Sequence, residues 1–331
     1  MSNIERCGFV GDSSKLRRVD GNWAFLDFDV TDLLSSTELR QFQEETGLQK
    51  SPVTVVLPDQ WADSWPESPA QNQVVVAFLH GLGGGRDSWG VGNAPTQSER
   101  SFVLQVLRSI ESLGKQALGL VLAGLGRDGG NLSSAVGAGG ITPQHYSRQL
   151  EFSLRHLNLL QCDKIIGIGH SLGAAALWEF AGRNSSDSSP QARSRDSRLD
   201  VSVVAISPVR AIAQSRFLTV GCQIAGKGLD LLLRPLVGLW RFSSRRLSDF
   251  VATASALKGL GRQVPFSGSL AGVKGLVLIG ERDWIARTGL VRDLRRASCQ
   301  WPVAQLAGLG HNLLWHPATV RALTNHIPAL L

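Results

Sequence analysis

The sequence predicts an α/β fold: a mostly parallel central sheet with helices on both faces and an inserted helical cap. Three observations carry this. From residue 73 onward, short β-branched apolar runs alternate with amphipathic helical patterns, the rhythm of strand–helix–strand crossovers. Residues 73–79 (Gln-Val-Val-Val-Ala-Phe-Leu) are apolar almost without a break, as a strand covered on both faces must be. Residues 208–272 lie between two predicted strands and are too long for a single crossover helix.

The elements follow in order. Residues 1–50 form an N-terminal extension in which 23–30 reads as an edge strand and 37–46 as a polar helix. Strands are predicted at 53–57, 73–79, 118–123, 164–168, 201–206, 273–279 and 300–306, the last with Pro302 marking its edge or start. Helices are predicted between them. In 99–113, Phe102, Val103, Val106, Leu107 and Ile110 share one face. The stretch 142–160 opens with Thr142 at the N-cap and Pro143 at the first helical position. Further helices are expected at 172–183, 286–297 and 317–330. Residues 185–198 are rich in Ser and Arg and read as a surface loop. The domain reading is a core made of 51–207 and 273–331, with 208–272 inserted as a basic cap or lid.

Composition limits the alternatives. Of 331 residues, 43% are apolar and 18% charged, a globular balance rather than a disordered one. The start of the chain has an early acid and no continuous apolar run, so no secretory signal is read there. No stretch of about 18 residues is apolar enough to span a bilayer. The four cysteines (Cys7, Cys162, Cys222, Cys299) show no C-x-x-C pair and read as reduced thiols. The expected location is cytoplasmic. The net charge of +7 is concentrated: residues 208–272 hold nine basic and two acidic side chains, and the remaining 25 basic and 25 acidic residues cancel. No stacking-aromatic or helix-turn-helix pattern accompanies this charge, which argues against nucleic acid as a partner. Arg234 and Arg241, set among Leu, Val, Trp and Phe, leave two readings open: a lid in peripheral contact with anionic lipid, or an ordinary cap with solvated arginines.

Residues 169–173 read Gly-His-Ser-Leu-Gly. An apolar strand leads in and the small-residue run Ala174-Ala175-Ala176 leads out. Strand, tight turn and helix together lift Ser171 above the sheet in a strained conformation. The helix N-terminus aims backbone N–H groups at the place where negative charge develops in an acyl transfer.

With these residues in view, the chain resembles the alpha/beta-hydrolase superfamily from about residue 53 to the C-terminus. In that family nucleophile, acid and histidine follow one another along the chain, each after a successive strand. By this resemblance Ser171 is the nucleophile, Asp283 (in Gly280-Glu281-Arg282-Asp283-Trp284) the acid, and His311 (in Gly308-Leu309-Gly310-His311-Asn312) the base. Taken singly, Asp283 also reads as a helix N-cap and His311 as a loop histidine. The run His80-Gly81-Leu82-Gly83-Gly84-Gly85 resembles the family's oxyanion loop, which implies the backbone N–H groups of Leu82 and Leu172 as oxyanion donors. Trp89, His170 and Trp284 are the candidate substrate-contacting side chains, although core packing is the simpler reading for the tryptophans.

Gly124 to Gly129 fits G-x-G-x-x-G, but the chain continues as a loop rather than opening a helix, so no dinucleotide site is read there. No cofactor is expected, and no histidine shows metal-ligand spacing with carboxylates. The expected activity is a serine hydrolase of the carboxylesterase or lipase type, cleaving a small-molecule or lipid-like ester with an apolar acyl or aryl group through an acyl-enzyme. The same three residues serve a thioesterase, acyltransferase, perhydrolase or carbon–carbon bond hydrolase, and the scaffold also serves non-catalytic ligand binding. Oligomeric state is not legible.

Overall fold

The computed structural model describes residues 16–19, 22–62, 73–81, 84–91, 101–123, 142–185, 199–208, 224, 269–287, 290, 294–295 and 297–331. Among them, nine strands form one sheet: β1 (Leu16–Val19), β2 (Trp23–Asp29), β3 (Pro52–Pro58), β4 (Gln73–Leu79), β5 (Gln116–Leu122), β6 (Lys164–His170), β7 (Asp200–Ile206), β8 (Lys274–Gly280) and β9 (Val303–Leu306). Their spatial order is β1-β2-β3-β5-β4-β6-β7-β8-β9. From β5 to β9 neighbouring strands are parallel, while β1, β2 and β3 add an antiparallel flank.

Alternation explains how a continuously apolar strand is used. In β4, Val75, Ala77 and Leu79 enter one core, and Val74, Val76 and Phe78 enter the other. Successive Cβ atoms point to opposite faces, so a strand covered on both sides needs apolar residues at every position. The first core is closed by helices α1 (Ser36–Thr46), α3 (Pro143–His156) and α4 (Leu172–Ser185); the second by α2 (Phe102–Glu111) and α6 (Pro317–Leu330), with the short helix α5 (Trp284–Arg287) between β8 and β9. Sheet and helices are those of the alpha/beta-hydrolase fold.

The helix starts follow from local chemistry. Thr142 caps α3 by accepting the His145 N–H, with Pro143 in the first turn. Ser35 and Glu38 close a capping box on α1, and Gly47 ends that helix at φ 68°.

Two differences from the sequence reading have physical causes. The strand at 23–29 is not the edge of the described sheet, because β1 pairs outside it. Leu-Arg-Arg-Val carries no apolar run; the strand is held by Arg17, which donates to Asp27 and to the Val91 carbonyl at 2.8 Å each. The last strand starts at Val303 rather than residue 300, because Pro302 brings no N–H to the ladder. The readings of the glycine-rich segment 124–141, the loop 186–198 and nearly all of the basic insertion 208–272 lie outside the described residues. Among the described residues, no helix is long and apolar enough to cross a membrane. Cys162 and Cys299 are free, and burial pushes their thiols up to about 12 and about 11.

Candidate active site

The sharp turn after β6 sets the position of Ser171. Its φ is +54°, in the left-handed region that non-glycine residues rarely enter. Its N–H donates to the Ile206 carbonyl at 2.8 Å, and its carbonyl accepts the Ala175 N–H in the first turn of α4. The glycines on either side are obligatory. A Cβ at Gly169 would strike the Gly173–Ala174 backbone, and one at Gly173 would overlap the Leu79 carbonyl at the end of β4. Strand and helix can meet this closely only where both positions lack side chains.

Asp283 follows β8. Its residue is 1% exposed. One oxygen, Oδ1, accepts the Ala286 N–H at 3.0 Å, capping α5. The other, Oδ2, accepts the Nδ1–H of His311 at 2.9 Å. Burial opposes the charge, but the bonds from His311 and the Ala286 N–H, with the Ser207 hydroxyl close by, outweigh it and hold the carboxyl below its ordinary range. Of these, the Ser207 contact is the loosest, since that buried hydroxyl closes no hydrogen bond of standard geometry.

His311 stands in the loop after β9, and two backbone ties join this loop to the one carrying Asp283. Arg282 N–H donates to the Leu309 carbonyl at 2.8 Å, and Gly308 N–H donates to the Glu281 carboxylate at 2.7 Å. The Ser171 hydroxyl lies 3.0 Å from His311 Nε2. Hydroxyl, imidazole and carboxylate therefore form one line, although they are 140 and 28 residues apart along the chain. Such a line can draw a proton from the hydroxyl onto an imidazole whose charge a buried carboxylate balances.

The loop after β4 packs against the same point. A Cβ at Gly81 would come 2.8 Å from Ser171 Cβ. The His80 N–H donates to the hydroxyl of Tyr146, the chain's single tyrosine, at 3.1 Å. The His80 ring lies between the Gly81 and Ala123 carbonyls, at 2.8 and 3.0 Å. Leu172 opens α4 beside Ser171; Leu82 lies outside the described residues.

The three candidate substrate-contacting side chains separate. Trp89 is a correction. It is fully buried, its ring 5.4 Å from those of Phe78 and Phe102, in the core under α2. The face of β4 that carries Phe78 holds its ring in that core. Trp284 is 64% exposed beside Asp283. His170 turns its Nε2 to the His311 carbonyl at 3.0 Å. Ser207 and Tyr146 escaped the sequence reading. A serine directly after β7, next to the strand that leads to Ser171, was the available signal for Ser207; nothing in the pattern around Tyr146 marked it. Among the described residues, no group of three His, Cys, Asp or Glu side chains is arranged to hold a metal ion.

The chain belongs to the alpha/beta hydrolase family, whose model matches residues 76–323. It is a hydrolase by that membership. Several solved structures are similar to it. One is the carboxylesterase CesB (YbfK) from Bacillus subtilis, at 14% identity and a TM-score of 0.47, covering 98% of this chain and 97% of that one. A carboxylesterase structure from the thaumarchaeon Nitrososphaera gargenis shares 14% identity with a TM-score of 0.46, over 95% and 98% of the two chains. The enol-lactonase from Burkholderia xenovorans LB400 shares 15% identity with a TM-score of 0.49, over 86% and 96%. At these identities the likeness says nothing of substrate. No curated protein matches the sequence.

Proposed function

We propose that the protein is a serine hydrolase that cleaves a carboxylic ester with an apolar acyl or aryl group, using Ser171, His311 and Asp283. The observation that carries this is the His311 imidazole standing between the Ser171 hydroxyl (3.0 Å) and the Asp283 carboxylate (2.9 Å).

In the first half-reaction Ser171 Oγ attacks the ester carbonyl carbon and its proton passes to His311 Nε2. Asp283 keeps Nδ1 protonated, so that Nε2 is the free base, and balances the imidazolium that forms. The carbonyl oxygen becomes an oxyanion facing the N–H groups assigned to Leu172 and Leu82, each worth about 3 kcal/mol at the barrier. Collapse breaks the bond to the alcohol oxygen, which takes the proton from His311 and leaves as alcohol. Water then attacks the acyl-enzyme, giving one proton to His311; the acid departs as the proton returns to Ser171 Oγ.

We assign residues 208–272 to a cap over this centre, inserted into a core of 51–207 and 273–331. In support, the chain leaves β7 at Ser207, on the side of the sheet where Ser171 stands, before returning at β8. An apolar acyl or aryl group needs such a cover to be shielded from water.

The test is hydrolysis of p-nitrophenyl esters from acetate to palmitate, with Ser171→Ala as control. Loss of activity in the variant supports the ester hydrolase, and the chain-length optimum sizes the acyl pocket. A wild type silent on every ester, yet labelled at Ser171 by a fluorophosphonate, has a substrate other than a simple ester. Silence in both assays refutes the reading.

A further inference from the structure

The residue before Ser171 is a half-buried histidine whose ring is turned toward the backbone of the His311 loop. Its Nε2 lies 3.0 Å from the His311 carbonyl oxygen. A carbonyl only accepts, so Nε2 carries the proton and donates. The other side of the ring meets the loop after β4, where a Cβ at Gly81 would come 2.9 Å from His170 Nδ1. The ring also lies tilted against that of His311, with centroids 5.3 Å apart. One imidazole thus touches three segments: the turn that bears Ser171, the His80–Gly81 loop and the His311 loop.

The His311 loop needs such a tie. Toward its N-terminal side it is bonded at Gly308 and Leu309, to Glu281 and Arg282. Toward its C-terminal side the Leu313 carbonyl accepts from the His316 N–H and the Thr319 hydroxyl. Between these anchors the bond to His170 fixes the carbonyl of His311 itself, and so the direction in which its side chain leaves the backbone.

We propose that His170 is a positioning residue: its Nε2–H holds the His311 carbonyl and so sets the His311 imidazole between Ser171 and Asp283. The inference rests on the serine hydrolase reading above. It replaces substrate contact, the role the sequence suggested for this side chain. Electrostatics agree with it. The titratable groups facing the ring are His311, Asp283 and His80, and burial pushes the His170 pKa down to about 4. At neutral pH the ring is uncharged, keeps its donor, and places no second cation beside the imidazolium that forms on His311. Displacing a base by about 1 Å can slow a reaction about 100-fold, so a small shift of this carbonyl matters.

The experiment compares rates of fluorophosphonate labelling at Ser171 in wild type, His170→Leu and His170→Gln, with thermal unfolding as the fold control. Glutamine is chosen because its side-chain N–H reaches about as far as Nε2. The expected result is a wild type that is labelled, a leucine variant about 10- to 100-fold slower with a displaced pH profile, and rescue by glutamine. Labelling of the leucine variant at the wild-type rate overturns the inference and leaves the hydrolase reading standing. A wild type that is not labelled overturns both. If the leucine variant fails to fold, nitrogen-15 NMR of the wild-type imidazoles decides: His170 protonated on Nε2 alone at neutral pH supports the inference, and a ring protonated on Nδ1 overturns it.

Discussion

Asp283 serves two neighbours at once: Oδ2 accepts the His311 Nδ1–H at 2.9 Å, while Oδ1 accepts the Ala286 N–H at 3.0 Å. The helix-cap and triad-acid readings of this residue are therefore compatible. Asp283→Asn keeps an oxygen for Ala286 but removes the charge that balances an imidazolium. The expected result is a melting temperature near wild type with activity down about 10⁴-fold. Asp283→Ala adds loss of the cap, a further destabilisation of about 1 kcal/mol. Ester kinetics with urea unfolding of both variants checks this.

Ser171 is held at φ +54°, a conformation that costs a non-glycine residue about 1 kcal/mol or more. Glycine has no such penalty. Ser171→Gly is expected to be more stable than Ser171→Ala by about 1 kcal/mol, with both inactive. Denaturant unfolding of the pair decides; equal stability would mean that the turn relaxes around alanine.

Gly173 gives a sharper test of close approach. A Cβ there overlaps the Leu79 carbonyl, and that oxygen belongs to a central strand that cannot yield. Gly173→Ala is expected to lose about 3 kcal/mol or to fail to accumulate as folded protein. A variant with wild-type melting behaviour contradicts the packing described here.

Acid should weaken the fold in two windows. His170 has its pKa lowered from 6.5 to about 4 by burial, so between these values the unfolded chain binds a proton that the folded one refuses. Stability therefore falls as pH drops through this window, by at most about 3 kcal/mol. Asp283, held below its ordinary range, contributes stability above its unfolded pKa that is lost as pH falls through its folded value. Unfolding curves from pH 7 to pH 4 should be steeper for wild type than for His170→Gln. Parallel curves would contradict the buried neutral ring.

The antiparallel flank braces the loop after β4. Asp27 on β2 bonds both Arg17 and Arg86 at 2.8 Å, with Thr54 as a further partner. These groups are partly exposed, so screening reduces what the network contributes. Asp27→Ala is expected to lower stability by about 1 kcal/mol, with a smaller loss at high salt. Thermal unfolding at two salt concentrations measures it; a loss that does not change with salt points to packing instead.

Much of the fold was legible because burial on both faces imposes its own pattern. The run 73–79 has only one satisfactory home, a strand between two cores, and Thr142-Pro143 marks a helix start with groups that work within one turn. Spacing placed Ser171, Asp283 and His311 on loops at the same edge of a parallel sheet, since each follows a strand at its C-terminal end. The strand at 16–19 was hidden because Arg17 pairs with Asp27 and the Val91 carbonyl and Arg18 with Asp59, relations no local pattern records.

Direction was decided by the tertiary structure alone. Sequence puts Trp89 near the site, but the second core claims its ring. Sequence puts His170 beside Ser171, but only folding brings the His311 carbonyl, 141 residues away, within reach of its Nε2. The chain itself determined which loops bear Ser171, Asp283 and His311, because strand and helix periods are local. Packing of distant segments determined where each side chain points, because a side chain turns toward whatever fills the space around it.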